Sequence, residues 1–276
     1  MKYRHSFHAG NFADIHKHVT LLALLSALKR KEKGFAYFET HAGRGSYDLQ
    51  ATTESAGGAD RLGEREWHAE ELRDFAALVT AFREDRHQPH AYPGSPLIAA
   101  RALRAQDRGV LSELVPTEAR LLERELESYP RMRVERADGF EQLRAWLPPR
   151  ERRGLILIDP PYEENRQDFQ RVITSIADAL QRFATGICAA WYPIKDDREV
   201  RAWHEAFARG VSAETLISEI WLYPRDSKVA LNGSGMLIVN PPYRLAEQMQ
   251  GWLPELQSRL DVGHPGGSSV RSLSDQ

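Results

Sequence analysis

Gly154-Leu155-Ile156-Leu157-Ile158-Asp159-Pro160-Pro161-Tyr162 runs four apolar residues straight into an acid, two prolines and an aromatic ring. An uninterrupted apolar run of this length suits a central parallel strand, covered by helices on both faces. Asp159 then falls at the carboxyl end of that strand, where open α/β sheets bind their ligands.

Strand and helix signals alternate around this stretch. Strands are predicted at Phe35–Glu39, Val110–Val115 (stopped by Pro116), Met132–Ala137 and Thr185–Trp191, then at Leu216–Tyr223 and Met236–Val239. Met132–Ala137 alternates as a half-exposed strand should. Helical spacing fills Thr117–Ser128, with Thr117 as its N-cap, and Phe140–Leu147, Asp168–Phe183, Asp196–Arg209 and Arg244–Leu260. This alternation implies a parallel sheet between helical layers. The link from Tyr223 to Gly235 is too short for a helical crossover, so the last two strands form an antiparallel hairpin. Five parallel strands closed by such a hairpin give the fold class α/β, in the Rossmann-like seven-stranded arrangement of class I methyltransferases. The long gap after the first strand reads as an insertion. Glu64–Asp85 is its amphipathic helix, with Trp67, Leu72, Phe75, Leu78, Val79 and Phe82 on the apolar face. The expected organisation is therefore a main domain of residues 1–46 and 95–262, an inserted helical subdomain of 47–94, and a disordered Gly/Ser-rich tail of 263–276.

Composition narrows the class. The 276 residues are 42% hydrophobic and 28% charged, which is globular. The net charge of −2 excludes a wholly basic nucleic-acid coat protein, though not a local basic patch. Residues 1–44 hold eight Lys/Arg against three Asp/Glu, a local +5 that suggests a basic face for a nucleic-acid backbone. Lys29–Lys33 within that segment also reads as a solvated helix end. A single cysteine, Cys188, cannot form an internal disulfide, which fits a reducing compartment. The longest near-apolar run, Val19–Leu28, is broken by Thr20 and Ser26, and the N-terminus lacks the apolar core of a signal peptide. A soluble cytoplasmic protein with no membrane partner is the expectation.

The Asp-Pro-Pro-Tyr turn fits transfer of a methyl group to an amino nitrogen. The lone pair of an exocyclic adenine nitrogen is delocalised into the ring. Asp159 can accept one amino hydrogen and the Pro160 carbonyl the other, drawing the nitrogen towards tetrahedral geometry. Proline fixes φ and hence the aim of that carbonyl. Tyr162 can stack on a flipped base. Asn240-Pro241-Pro242-Tyr243 repeats the pattern. It follows the antiparallel last strand, however, and so points to the opposite sheet edge and reads as a plain turn. Thr40-His41-Ala42-Gly43-Arg44-Gly45 supplies a glycine turn after the first strand, with Asp48 where a dinucleotide fingerprint needs its third glycine. Glu113 can take two ribose hydroxyls. Asp138-Gly139 can meet an adenine edge, or cap a helix at Phe140. Ser95 in Tyr92-Pro-Gly-Ser-Pro96 is a cap or a polar ligand contact. His5, His8, His16 and His18 raise a metal site, but no Cys or H-E-x-x-H completes one, and no metal is expected.

Taken together, Tyr3–Asn11, Lys17-His18, Thr40–Gly43, Tyr92–Ile98, Ala137–Phe140, Gly154–Tyr162 and the stretch from Gly235 to Pro242 resemble the bacterial RlmJ family, over nearly the whole chain and in order. The resemblance implies a monomeric S-adenosylmethionine-dependent methyltransferase acting on N6 of an adenine in 23S ribosomal RNA, as naked RNA or an early assembly intermediate. It implies donor contacts from His18, His41, Ser95, Glu113 and Asp138-Gly139, with Lys17 and the Gly43 turn close by. Asp159 matches the catalytic acid and also belongs among the donor-binding residues, and Tyr3, beside Arg4, matches a contact to the substrate RNA. The chain departs from the family pattern in the insertion and in the tail. DNA adenine and protein glutamine are rival methyl acceptors, since similar turns serve both. A catalytically silent RNA-binding protein is disfavoured by the intact Asp159 and Glu113, and a nicotinamide dehydrogenase by the missing glycine.

Overall fold

The computed structural model describes residues 9–51, 58–59, 62, 66–163, 165–225, 227, 229 and 231–275. In chain order the elements are α1 (Phe12–Lys29), β1 (Ala36–Glu39), β2 (Ser46–Asp48), α2 (Glu70–Arg86), β3 (Ala91–Pro93), α3 (Ser95–Ala102), β4 (Arg108–Ser112), α4 (Pro116–Glu125) and β5 (Met132–Glu135). They continue as α5 (Gly139–Trp146), β6 (Gly154–Ile158), α6 (Asn165–Arg182), β7 (Ile187–Ile194), α7 (Asp197–Gly210), β8 (Thr215–Trp221), β9 (Gly233–Val239), α8 (Leu245–Leu260) and β10 (Gly267–Ser272).

The main sheet runs β10-β8-β9-β7-β6-β1-β4-β5. The strands from β7 to β5 are mutually parallel, while β9 lies antiparallel between β7 and β8. This is the class I methyltransferase order, extended by one strand. Side chains of β6 alternate between two apolar layers, as a strand's period of two demands. Leu155 and Leu157 join α1, α2, α3 and α8 on one face, and Ile156 and Ile158 join α5, α6 and α7 on the other. Helix α1 is buried along almost its whole length and all round its circumference, which makes it a core helix. Asn11 caps it, accepting from the backbone N–H of Ala13 and Asp14 at 3.0 Å each.

Two expectations are corrected. The tail is ordered: β10 pairs antiparallel with β8 and Leu273 is buried behind it, so the sheet has eight strands and not seven. Its Gly/Ser composition carries little strand signal of its own, and pairing with β8 supplies the ladder. Thr117 does not cap α4; the cap position is Val115 and Pro116 opens the helix, where its missing N–H costs nothing. In the insertion, Leu72, Phe75, Val79 and Phe82 of α2 are buried in the same apolar cluster as α1, and β2 pairs with β3.

Candidate active site

The carboxyl ends of β1, β4, β5 and β6 meet the N-terminal ends of α1, α3 and α5. Asp159 follows β6 and is 8% exposed. Lys17, from the second turn of α1, reaches it: Nζ lies 2.5 Å from Asp159 Oδ2 and 2.8 Å from Asp14 Oδ1. Burial works against the Lys17 charge, but the two carboxylates outweigh it and hold its pKa well above the usual lysine value. Glu39, the last residue of β1, accepts from Tyr37 Oη at 2.8 Å and from the Ser95 hydroxyl. Burial pushes its carboxyl up to about 8, against those hydrogen bonds and the Lys17 charge. His18 shares a 2.8 Å hydrogen bond with Tyr92 Oη.

The glycine turn lies across from Glu113. Gly43 has φ +66° and Gly45 φ +89°, conformations glycine adopts without strain. Glu113 Oε2 accepts from Gly43 N at 2.8 Å and Oε1 from Val115 N at 2.7 Å. Burial raises its carboxyl above the ordinary range despite these two donors. Asp138 caps α5, accepting from Phe140 N at 2.9 Å, and pairs with Arg171 at 2.6 Å. A Cβ on Gly139 would stand 1.9 Å from the Thr40 carbonyl oxygen, so only glycine lets α5 start this close to β1. His41 shares a 2.7 Å hydrogen bond with Thr40 Oγ1 and meets the Phe140 ring edge-on at 4.8 Å. Burial lowers its pKa to about 4, against the pull of Asp159 and Asp138, so the imidazole is neutral at physiological pH.

Lys17, His18, His41, Gly43, Ser95, Glu113, Asp138, Gly139, Asp159 and Pro160 thus gather at one sheet edge. Tyr162 departs from its expected role. Its ring is 2% exposed, packs on Phe169 and Trp191, and its hydroxyl donates to the Trp191 carbonyl at 2.5 Å. A ring held this way anchors the turn, itself at φ +51°, and is not open for stacking on a base. Tyr3 and Arg4 lie outside the described residues. His16 sits between two serines, Nδ1 3.0 Å from Ser234 Oγ and Nε2 3.0 Å from Ser218 Oγ, and burial lowers its pKa to about 3. Among the described residues no three potential metal ligands cluster. Asn240, at the end of antiparallel β9, donates to the carbonyls of Ala184 at 2.9 Å and Gly186 at 2.8 Å, beneath the amino ends of the parallel strands.

The sequence reading missed Glu39 and Asp14. Glu39 carried a signal, since it directly precedes the glycine turn. Asp14 carried none beyond a place in the first turn of α1. The local +5 also disperses. Lys17 is buried, Arg44 pairs with Glu118 at 2.7 Å, and Lys29–Lys33 lies at the far end of α1, where Arg153, just ahead of β6, donates to the Leu28 and Lys33 carbonyls.

The family model described as "Ribosomal RNA large subunit methyltransferase D, RlmJ" matches residues 32–273. The chain belongs to this family. Similar family proteins are the "Ribosomal RNA large subunit methyltransferase J" of Escherichia coli, 43% identical over 98% of both chains, and that of Haemophilus influenzae, 38% identical over 100% of both. A crystal structure of a Legionella pneumophila protein superposes with a TM-score of 0.86 at 35% identity, covering 96% of this chain and 98% of that one. The RlmJ-family chain is therefore a methyltransferase of the ribosomal RNA-modifying kind, and the edge that carries Asp159 is its candidate active site.

Proposed function

We propose that this protein methylates N6 of an adenine in 23S ribosomal RNA, working as a monomer with S-adenosylmethionine as donor. The observation that carries the reading is the buried Asp159-Pro160 turn at the end of β6, set beside acids at the ends of β1, β4 and β5. The residues suit that donor. Glu113 offers a carboxylate to ribose hydroxyls, and Asp138-Gly139 offers an edge for adenine. The Gly43 turn leaves a backbone path without side chains. His18 and Ser95 supply polar groups for an amino-acid end, with Glu39 buried behind and holding the Ser95 hydroxyl, and the neutral His41 adds no positive charge against a cationic ligand. When bound, S-adenosylmethionine supplies an electrophilic methyl group.

Asp159 accepts one hydrogen of the adenine amino group and the Pro160 carbonyl accepts the other. Both bonds strengthen as the nitrogen loses conjugation, so they favour the transition state over the ground state. Asp159 need not be a strong base. The nitrogen becomes acidic only once it carries the methyl, and the carboxylate then takes the proton. Tyr162, pinned to Trp191, keeps the turn aimed.

Labelled donor supplied to unmodified 23S RNA, to DNA and to a glutamine peptide tests the reading. Label at N6 of one adenine of the RNA supports it; label on DNA or the peptide alone overturns it.

A further inference from the structure

Lys17 has a second carboxylate partner that the proposed chemistry does not use. Asp14, one turn before Lys17 on α1, holds Nζ at 2.8 Å through Oδ1 while Oδ2 accepts from Gly10 N at 3.0 Å. The Asp14 side chain is 8% exposed and that of Lys17 3%. On its other side the ammonium faces the Trp191 ring, 5.9 Å away, and Asp159 Oδ2 at 2.5 Å. The ammonium therefore occupies Oδ2, one of the two oxygens through which Asp159 can engage the substrate amino group. A buried ammonium that leaves its only carboxylate becomes an unpaired buried charge, which is strongly disfavoured. With Asp14 present, it can leave Asp159 and stay paired.

We propose that Asp14 is a positioning residue that retains the Lys17 ammonium, so that Lys17 releases Asp159 when the substrate amino group arrives. The inference rests on Asp159 being the acid that engages that group. Asp14 touches neither substrate nor donor; its work is to make the exchange of partners on Asp159 inexpensive. One bound oxygen fixes it to the backbone at Gly10, and the other is turned to Lys17.

The test is single-turnover methyl transfer by Asp14→Asn, Lys17→Met and the double variant, with donor affinity measured by calorimetry and folding by thermal melts. Asp14→Asn keeps an acceptor for Gly10 N and removes only the charge. Its transfer rate should fall about ten- to a hundred-fold, the size expected when a reacting group is held in the wrong arrangement, while donor affinity is unchanged. Asp14→Glu should recover part of the rate. The double variant should be no slower than Lys17→Met, because Asp14 acts through Lys17; additive losses would mean two independent effects and would overturn the proposal. Should Asp14→Asn not fold, Asp159→Asn decides. There the Lys17 ¹⁵Nζ resonance should remain that of an immobilised, charged ammonium held by Asp14, and its loss would sink the idea. Asp159→Asn that transfers at the wild-type rate defeats the reading of Asp159 and this inference together. A dead Asp159→Asn beside a fully active, folded Asp14→Asn defeats this inference alone.

Discussion

Asp159 and Glu113 are both acids just past the carboxyl end of a parallel strand, yet their surroundings give them different work. Asp159 is paired with Lys17, which on our proposal gives way to a substrate group, whereas Glu113 is held by two backbone N–H groups and keeps further lone pairs for hydroxyl donors. Asp159→Ala should therefore keep fold and donor binding and lose transfer. Loss of one preorganised transition-state partner costs on the order of 10²–10³ in rate, read by single-turnover assay. Glu113→Ala should act on affinity instead, weakening donor binding by about 1.5–3 kcal/mol, or roughly ten- to 150-fold. Unchanged calorimetric affinity would remove Glu113 from the donor site. Both acids were legible as residues because each ends an apolar strand. The Lys17 link was not, since 142 positions separate it from Asp159 and nothing in the local pattern announces the pairing.

At the level of elements, two nearly identical turns, Asp159–Tyr162 and Asn240–Tyr243, are separated by strand direction alone. β6 is parallel to its neighbours and β9 is antiparallel to both of its own, so the turns leave opposite edges of one sheet. Asn240 also sits at φ +52°, and its amide ties the β9 end to the carbonyls of Ala184 and Gly186. Asn240→Ala should lower stability by about 1–3 kcal/mol through lost hydrogen bonds and leave single-turnover transfer within two-fold of wild type. Strong loss of transfer in a folded Asn240→Ala protein would mean that the wrong turn has been assigned the chemistry. The tail makes the complementary point. Residues 267–272 are rich in Ser and Gly and carry little strand signal, yet they complete the ladder on β8. Truncation before Gly267 should lower the melting temperature and, by baring the β8 edge, promote association visible by light scattering.

Across the whole molecule, burial sets the charge states that govern stability against pH. Burial lowers His16 to about 3, His41 to about 4 and His204 to about 4, against an ordinary value of 6.5. Below pH 6.5 the unfolded chain takes up protons at these sites while the native protein refuses them, so stability falls with acidification until the native values are reached. Glu39 has the opposite sign: raised to about 8 from 4.5, its native form binds a proton that the unfolded chain lacks across that window, so stability falls as pH rises towards 8. Glu113, also raised by burial, acts in the same direction as Glu39, but the three histidines outnumber the two glutamates, and thermal melts across pH 4–9 should peak near pH 6.5, with the acid side flattened in His16→Phe if its neutral burial is the cause. A peak far to the alkaline side would contradict these assignments. What the sequence determined by itself was the alternation of strand and helix, the antiparallel last strand and the acids that end the parallel strands. Each follows from local periodicity, from loop length or from a residue's place at a strand end. Only the tertiary structure decided that Asp14, Lys17, Glu39 and Asp159 share one buried site, that the Tyr162 ring is spent on packing, that the local positive charge is divided between two edges, and that the tail is a strand. Those outcomes depend on which distant segments the sheet order brings together, and burial then decides which charges survive there.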